Sequence, residues 1–182
     1  SFALTFGTAT ASAITTQPSG AVNGVAFTQQ PVIRIVDASG NTVTNSTVNV
    51  VATIASGTGT LSGTTTVAAV AGVATFTNLV ITGTAGNFTL TFTPTALTAV
   101  TSASFALTFG AATASAITTQ PSGAVNGVAF TQQPVIRIVD SGGNTVTDST
   151  VNVVASIASG TGTLSGTTTV AAVAGVATFT NL

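Results

Sequence analysis

An internal repeat constrains the fold of this chain more than any other feature. The stretch SFALTFG occurs at residues 1–7 and again at residues 104–110, which is 103 positions later. Residues 1–79 align without gaps on residues 104–182. Only five positions differ, all between small or polar residues: Thr8 to Ala111, Ala38 to Ser141, Ser39 to Gly142, Asn45 to Asp148 and Thr53 to Ser156. A period of about 100 residues is long enough for a small domain, so we expect each repeat to have its own core.

The repeat boundaries predict three segments. Residues 1–10 are expected to be the last strand of a preceding repeat, and residues 11–110 a complete repeat. Residues 111–182 are expected to be a second repeat, truncated before its last strands, because the chain holds only one copy of residues 80–103. We therefore interpret the sequence as a window from a longer tandem array.

Charged side chains are almost absent from the chain. Two arginines and three acidic residues make up 3% of the sequence, against about 25% in typical soluble domains. Because 45% of the residues are hydrophobic, the composition is the reverse of that of a disordered chain. The longest nearly apolar run, VAAVAGVATF at 67–76, is far shorter than the roughly 20 residues of a membrane span. We expect neither membrane insertion nor a nucleic-acid partner, since two arginines cannot form a basic surface.

Hydrophobic residues that alternate with a period of two predict strands through most of the chain. The stretch NFTLTFT places Phe88, Leu90 and Phe92 on one face. Further predicted strands are PVIRIVD, with Ile33 and Ile35 facing inward, and VNVVATIA, with Val48, Val50 and Ile54 facing inward. A first strand is expected near residues 13–17, and a tight hairpin at Ala71 and Gly72.

These strands predict the fold class and one candidate surface. Short strands between turn-forming segments, without helical periodicity, predict an all-β chain of tandem antiparallel β-sandwiches with about seven strands each. If Ile33 and Ile35 face the core, then Val32, Arg34 and Val36 face outward. Two valines beside an arginine are typical of a packing strip, so we expect a lateral contact there.

The order of four stretches, IVDASGNTV, GTGTLSGTTTV, AGVATFTNL and TAGNFTLTFT, resembles the bacterial immunoglobulin-like repeats of invasin and intimin type adhesins and other very large surface proteins. The resemblance covers each repeat from about residue 11 to residue 110. It implies tandem immunoglobulin-like domains at the outside of a bacterial cell, or on its surface. Such repeats usually serve as stalks that hold a different terminal domain away from the cell. This chain departs from the common pattern because it contains no lysine.

The residues needed for most enzyme chemistry are missing. The sequence contains no His, Cys, Tyr, Trp, Met or Lys, which excludes the usual zinc and iron-sulfur ligands and the usual bases of serine hydrolases. The complete repeat contains a single acidic residue, Asp37, whereas glycoside hydrolysis requires a pair of them. We expect neither an enzyme nor a cofactor.

A weak calcium site is the remaining metal hypothesis. Asp37 with Asn41, and their equivalents Asp140 with Asn144, could offer oxygen atoms at a turn. Calcium takes roughly 6 to 8 oxygen ligands, so one carboxylate makes a poor site. We favour a turn-forming role for these residues and predict no metal.

Near-identical repeats with almost no net charge favour self-association. We expect a structural, non-catalytic segment of an extracellular filament, sheath or surface-layer protein, whose partners are neighbouring repeats and other copies of itself. The alternative is a stalk or glycan-binding repeat of an adhesin or phage fibre. A further hypothesis is strand exchange, in which Phe2, Leu4 and Phe6 of a neighbouring chain cover an open face of the second repeat. We favour the alternative that the tandem array continues and that its own next strands cover this face.

Overall fold

A computed structural model describes residues 5–182 of the chain. These residues form strands, bridges and turns without a helix, which confirms the all-β prediction. Within this part of the chain there is consequently no helix of the length and apolar character needed to cross a membrane. The chain divides into two compact units, Ser1–Thr108 (unit 1) and Phe109–Leu182 (unit 2).

The described part of unit 1 contains eleven strands of two to nine residues. They are β1 (Ala9–Thr16), β2 (Ala21–Val22), β3 (Val32–Asp37), β4 (Asn49–Ser56), β5 (Gly59–Ser62), β6 (Thr66–Ala68), β7 (Val73–Thr75), β8 (Val80–Gly83), β9 (Gly86–Pro94), β10 (Val100–Thr101) and β11 (Phe105–Thr108).

Three sheets organise these strands. The first has the order β1-β3-β7, the second has the order β2-β11-β9-β4-β6 with β10 also paired to β9, and the third is the pair β5-β8. Strand β11 lies parallel to β2 and antiparallel to β9. Strand β9 therefore holds the centre of the largest sheet, between β4 and β11.

One hydrophobic core contains side chains from both larger sheets. Ile33 and Ile35 of β3 belong to the same buried cluster as Val50 of β4 and Leu90 and Phe92 of β9, and all five side chains are fully buried. The inward orientation predicted for these residues is thus confirmed. The ring of Phe76, directly after β7, lies 5.4 Å from that of Phe92.

The predicted hairpin at Ala71 and Gly72 is confirmed. Val70 and Val73 exchange two backbone hydrogen bonds across this turn. Both central residues have positive φ, 49° for Ala71 and 76° for Gly72. Two-residue hairpins with two such angles match the twist of the flanking strands. A side chain at Gly72 would overlap the carbonyl oxygen of Val43, so this position requires glycine.

Unit 2 contains five strands: β12 (Ala114–Thr119), β13 (Val135–Val139), β14 (Asn152–Val154), β15 (Thr169–Ala171) and β16 (Val176–Thr178). They form the sheets β12-β13-β16 and β14-β15. The sheet β12-β13-β16 has the arrangement that β1-β3-β7 has in unit 1. Its core is smaller and centres on Ile136, Ile138, Ala177 and Phe179.

The same sequence forms strands of different length in the two units. Strand β4 has eight residues and β14 has three, although their sequences, NVVATIAS and NVVASIAS, differ at one position only. In unit 1, β9 pairs with β4 from Val50 to Ser56, and the chain has no second copy of residues 80–103. Among the described residues, β4 pairs with both β6 and β9, whereas β14 pairs with β15 alone, and the strand with two partners is the longer one.

Candidate interaction surfaces

Asp37 anchors the beginning of unit 1. Its Oδ2 accepts a hydrogen bond from the backbone N–H of Gly7 at 2.7 Å. Its Oδ1 accepts from the backbone N–H groups of Ser39 and Asn41, each at 2.9 Å. The side-chain amide of Asn41 donates to both oxygens, at 3.3 and 3.1 Å. The carboxylate thus ties the turn after β3 to a residue 30 positions earlier.

These hydrogen bonds favour the charged carboxylate. The N–H of Gly7 and the side chain of Asn41 are the main causes that lower the pKa of Asp37 from 3.8 to about 2, while burial acts in the opposite direction. An acceptor of several N–H groups is most stable when it carries its negative charge.

Asp140 repeats this network in unit 2. Burial raises its pKa, but hydrogen bonds from Gly110, Asn144 and Gly142 outweigh burial and lower the pKa of Asp140 to about 2. Oδ2 accepts from the Gly110 N–H at 2.8 Å, and Oδ1 accepts from the N–H groups of Gly142 and Asn144 at 2.9 Å each. The exchange of Ser39 for Gly142 leaves the network intact because the backbone supplies the donor.

N–H donors, rather than oxygen ligands, surround the two candidate calcium carboxylates. Asn41 and Asn144 turn their Nδ2 groups toward Asp37 and Asp140, so each amide acts as a donor to the acid. In residues 5–182, no group of three or more His, Cys, Asp or Glu side chains could hold a metal ion. This arrangement supports the turn-forming role over calcium binding.

The predicted packing strip is smaller than expected. Val32 and Arg34 are half-buried, and an Arg34 Nη1 donates to Thr42 Oγ1 at 3.4 Å. Val36 was predicted to face outward, yet it is only 6% exposed. The reason is that the turn after Asp37 folds back along β3, forming a bridge between Val36 and Thr42. Val36 lies outside the core cluster but is covered by this turn, so it is not part of an exposed strip.

The residues proposed for strand exchange are only partly described. Phe2 and Leu4 lie outside the described residues, and Phe6 is half-buried against the core of unit 1. The second copies of these three residues, at positions 105, 107 and 109, divide between the two units. Leu107 is buried in the core of unit 1, whereas Phe109 packs against the core of unit 2. The division between the units thus falls after Thr108, two residues before the predicted boundary.

An open apolar groove crosses unit 2. It has a volume of about 550 Å³. Side chains of β12, β14 and the segments around them line it, including Ile117, Phe130, Val153, Ala155, Ile157 and Leu164. None of its lining residues is charged. The groove follows the free edge of β14, on the side where β9 pairs with β4 in unit 1.

Equivalent side chains differ in exposure between the two units. Val50, Ala52 and Phe27 are buried in unit 1, whereas Val153, Ala155 and Phe130 are half-buried in unit 2. Ile117 and Ile157 are 53% and 45% exposed, and their counterparts Ile14 and Ile54 are half-buried. The sequence predicted an uncovered face in the second repeat, but not the residues that line it. The sequence of β4 could have identified these residues, because its second copy keeps the same alternating apolar positions.

Comparisons with known proteins add no assignment. No protein-family model matches the chain, and no curated protein matches it. The arrangement of strands, carboxylates and groove is therefore the basis for any functional proposal.

Proposed function

We propose that this chain is a structural, non-catalytic segment of an extracellular, self-associating filament, sheath or surface-layer protein. In this proposal each repeat is an immunoglobulin-like β-sandwich, of the kind found in bacterial surface proteins. The shared core of the two larger sheets in unit 1 supports the sandwich.

One observation carries the proposal: β11, the strand that ends the complete repeat, belongs to unit 1, and unit 2 begins at the next residue, Phe109. Strand β11, which repeats residues 2–5, pairs with β9 through Phe105 opposite Phe88 and Leu107 opposite Gly86. The division between the units therefore falls between two consecutive residues. This continuity of the backbone, from the last strand of one unit to the first residue of the next, suits a mechanical role.

The hydrogen bond of Gly110 strengthens this continuity. Thr108 ends β11, and Gly110, two residues later, is buried and bound to Asp140. Phe109 lies between them in the sequence and packs against the core of unit 2. Tension along the backbone would therefore pass from a sheet strand directly to a charge-assisted hydrogen bond.

The surface composition supports association rather than isolation. A net charge of −1 over 182 residues gives little mutual repulsion between copies. Valines that are strongly exposed in both units, Val70 and Val173 at 76%, offer apolar contacts. The glycan-binding alternative has less support, because none of the described phenylalanines is exposed to serve as a sugar platform.

Electron microscopy of a purified array of complete repeats tests the proposal. Ordered filaments or sheets are expected. Their assembly should change little with salt concentration, because ion pairs contribute little to such contacts. An array that stays dispersed as single chains at every concentration would contradict self-association. A glycan array probed with the same protein provides the matched test of the alternative.

A further inference from the structure

The charged residues of unit 1 lie on only one of its two larger sheets. Residues 1–108 contain two charges, Arg34 and Asp37, and both belong to β3 in the sheet β1-β3-β7. Strands β4, β6, β9 and β10 of the other sheet contain no charged residue. The two sheets therefore differ as surfaces, and the uncharged one is suited to contact with another uncharged surface.

The outward side of the uncharged sheet carries small side chains in rows. Alternate residues of each strand face away from the core, because successive side chains of a strand point to opposite sides. One row crosses β10, β9 and β4, and a second row crosses β9, β4 and β6. We define the outer face as the eight residues of these rows and of the end of β6: Thr101, Thr91 and Thr53, then Thr93, Val51 and Thr66, then Ala68 and Val70.

Most of the outer face is open to solvent. Val51 and Val70 are 37% and 76% exposed. The other six residues are exposed as well, apart from the half-buried Thr91. The exposed positions of β6 recur along β15 of unit 2, as Thr169, Ala171 and Val173. Both units thus present small apolar and hydroxyl side chains at the same place in the repeat.

Hydroxyl groups of this sheet already bond to each other across strands. Thr91 Oγ1 lies 3.1 Å from Thr101 Oγ1, and Ser56 Oγ lies 2.8 Å from Thr89 Oγ1. Burial of a hydroxyl group is unfavourable unless the group keeps a hydrogen bond. These pairs keep theirs when water is removed, so a partner can cover them at little cost.

The side chains of the outer face also lose little conformational freedom when they are covered. Threonine and valine are restricted at χ1 by their branched Cβ atoms, and alanine has no rotamers to lose. Lysine and glutamate, which lose much more, do not occur in the chain. A contact made by this face therefore has a small entropic cost.

The outer face has the size of a weak protein contact. Strands lie about 4.8 Å apart and rise about 3.3 Å per residue, so four strands of the length of β4 cover roughly 500 Å². A stable interface buries about 800 Å² on each partner. Contact through one repeat is therefore weak, and a tandem array strengthens it by making the same contact many times.

We propose that the outer face packs against the outer face of a second copy of this chain. This inference rests on the proposed self-association and names the surface that produces it. A two-fold contact brings the same patch of both copies together, so an uncharged patch avoids repulsion between like charges. Two sheets packed in this way lie about 10 Å apart, with their strands about 30° from parallel.

Analytical ultracentrifugation of the 182-residue chain and two lysine variants tests the proposal. Thr53→Lys places a charge in the outer face, at a position where the second repeat accepts a change to Ser156. Thr75→Lys is the matched control, because Thr75 is exposed on β7 of the other sheet. Thr53→Lys should raise the concentration needed for association by about tenfold or more, whereas Thr75→Lys should leave it unchanged.

The outcomes separate this proposal from self-association in general. Association that responds equally to the two lysine substitutions, or to neither, would overturn the proposal and leave self-association standing. A chain that stays monomeric at every concentration would contradict self-association itself, and the proposed contact with it.

Cysteine labelling locates the contact without depending on a loss of association. The chain contains no cysteine, so Thr53→Cys and Thr75→Cys each introduce a single thiol. Labelling of Thr53→Cys by a bulky maleimide should slow about tenfold once about nine-tenths of the molecules are associated. Labelling of Thr75→Cys should stay fast. Fast labelling of both variants in the associated protein would overturn the proposal, because the outer face would then be free for a different partner.

Discussion

Gly110 donates its backbone N–H to Asp140 Oδ2 at 2.8 Å, and Gly7 makes the same bond to Asp37 at 2.7 Å. The two bonds are 103 residues apart and survive an exchange of the following residue, Thr8 for Ala111. Each repeat thus uses a rare acidic side chain to fix the point where the unit begins.

Replacing this carboxylate should destabilise the unit that contains it. In Asp140→Asn an NH₂ group takes the place of one oxygen and faces N–H donors, so we expect a loss of about 1 to 2 kcal/mol of unfolding free energy. Chemical denaturation followed by far-ultraviolet circular dichroism measures the change. Asp148→Asn is the matched control, because Asp148 is exposed and the first repeat carries Asn45 there. Equal effects of the two substitutions would contradict an anchoring role.

The same carboxylates should make stability depend on pH at acidic values. Hydrogen bonds lower the pKa of Asp37 and of Asp140 to about 2, below the value of 3.8 of an unperturbed aspartate. The folded state binds protons less readily, so this stabilisation is complete above about pH 4 and is lost as the pH falls through about 2. The denaturation midpoint should fall across that window. A protein with both Asp37→Asn and Asp140→Asn should lack this drop, and a similar drop in that protein would assign it to other groups.

The two copies of one glycine should respond differently to substitution. Gly57 and Gly160 both have positive φ, 105° and 94°, so alanine strains the backbone at either position. Only Gly57→Ala also forces a methyl group into the ring of Phe88, which should cost about 1 to 3 kcal/mol more. Thermal unfolding of the two variants measures the difference. Equal destabilisation would mean that Phe88 does not occupy this space.

The inward orientation of apolar side chains was predictable where apolar and polar residues alternate strictly along a strand. Phe88, Leu90 and Phe92 face the core because a strand that buries one face must place its apolar residues two apart. The hairpin at Ala71 and Gly72 was predictable because few residues accept positive φ. Both predictions depend on local chemistry alone.

Features that depend on distant partners were not predictable. The pairs β5-β8 and β2-β11 consist of short strands whose pairing is set by residues far along the chain. Val36 alternates as an outward residue, yet the turn that follows folds back beside it. The length of β14 is the clearest case, since nearly the same residues form the longer strand β4 when β9 is beside them.

The hairpin offers a stabilising substitution. Ala71 is exposed and has a φ of 49°, a conformation that asparagine adopts more readily than alanine. Ala71→Asn should therefore raise the unfolding free energy by about 0.5 to 1 kcal/mol. Gly72→Ala, at the neighbouring position, should lower it. An unchanged or reduced melting temperature in Ala71→Asn would contradict the assigned turn geometry.

Single-molecule stretching of a tandem array tests the proposed mechanical role most directly. If each repeat is a closed unit joined to the next without a flexible linker, the force trace should show successive peaks of similar height. Their spacing should be about 330 Å, the extended length of one repeat less its folded length. A trace that rises smoothly without peaks, or peaks whose spacing does not match the 103-residue period, would contradict this role.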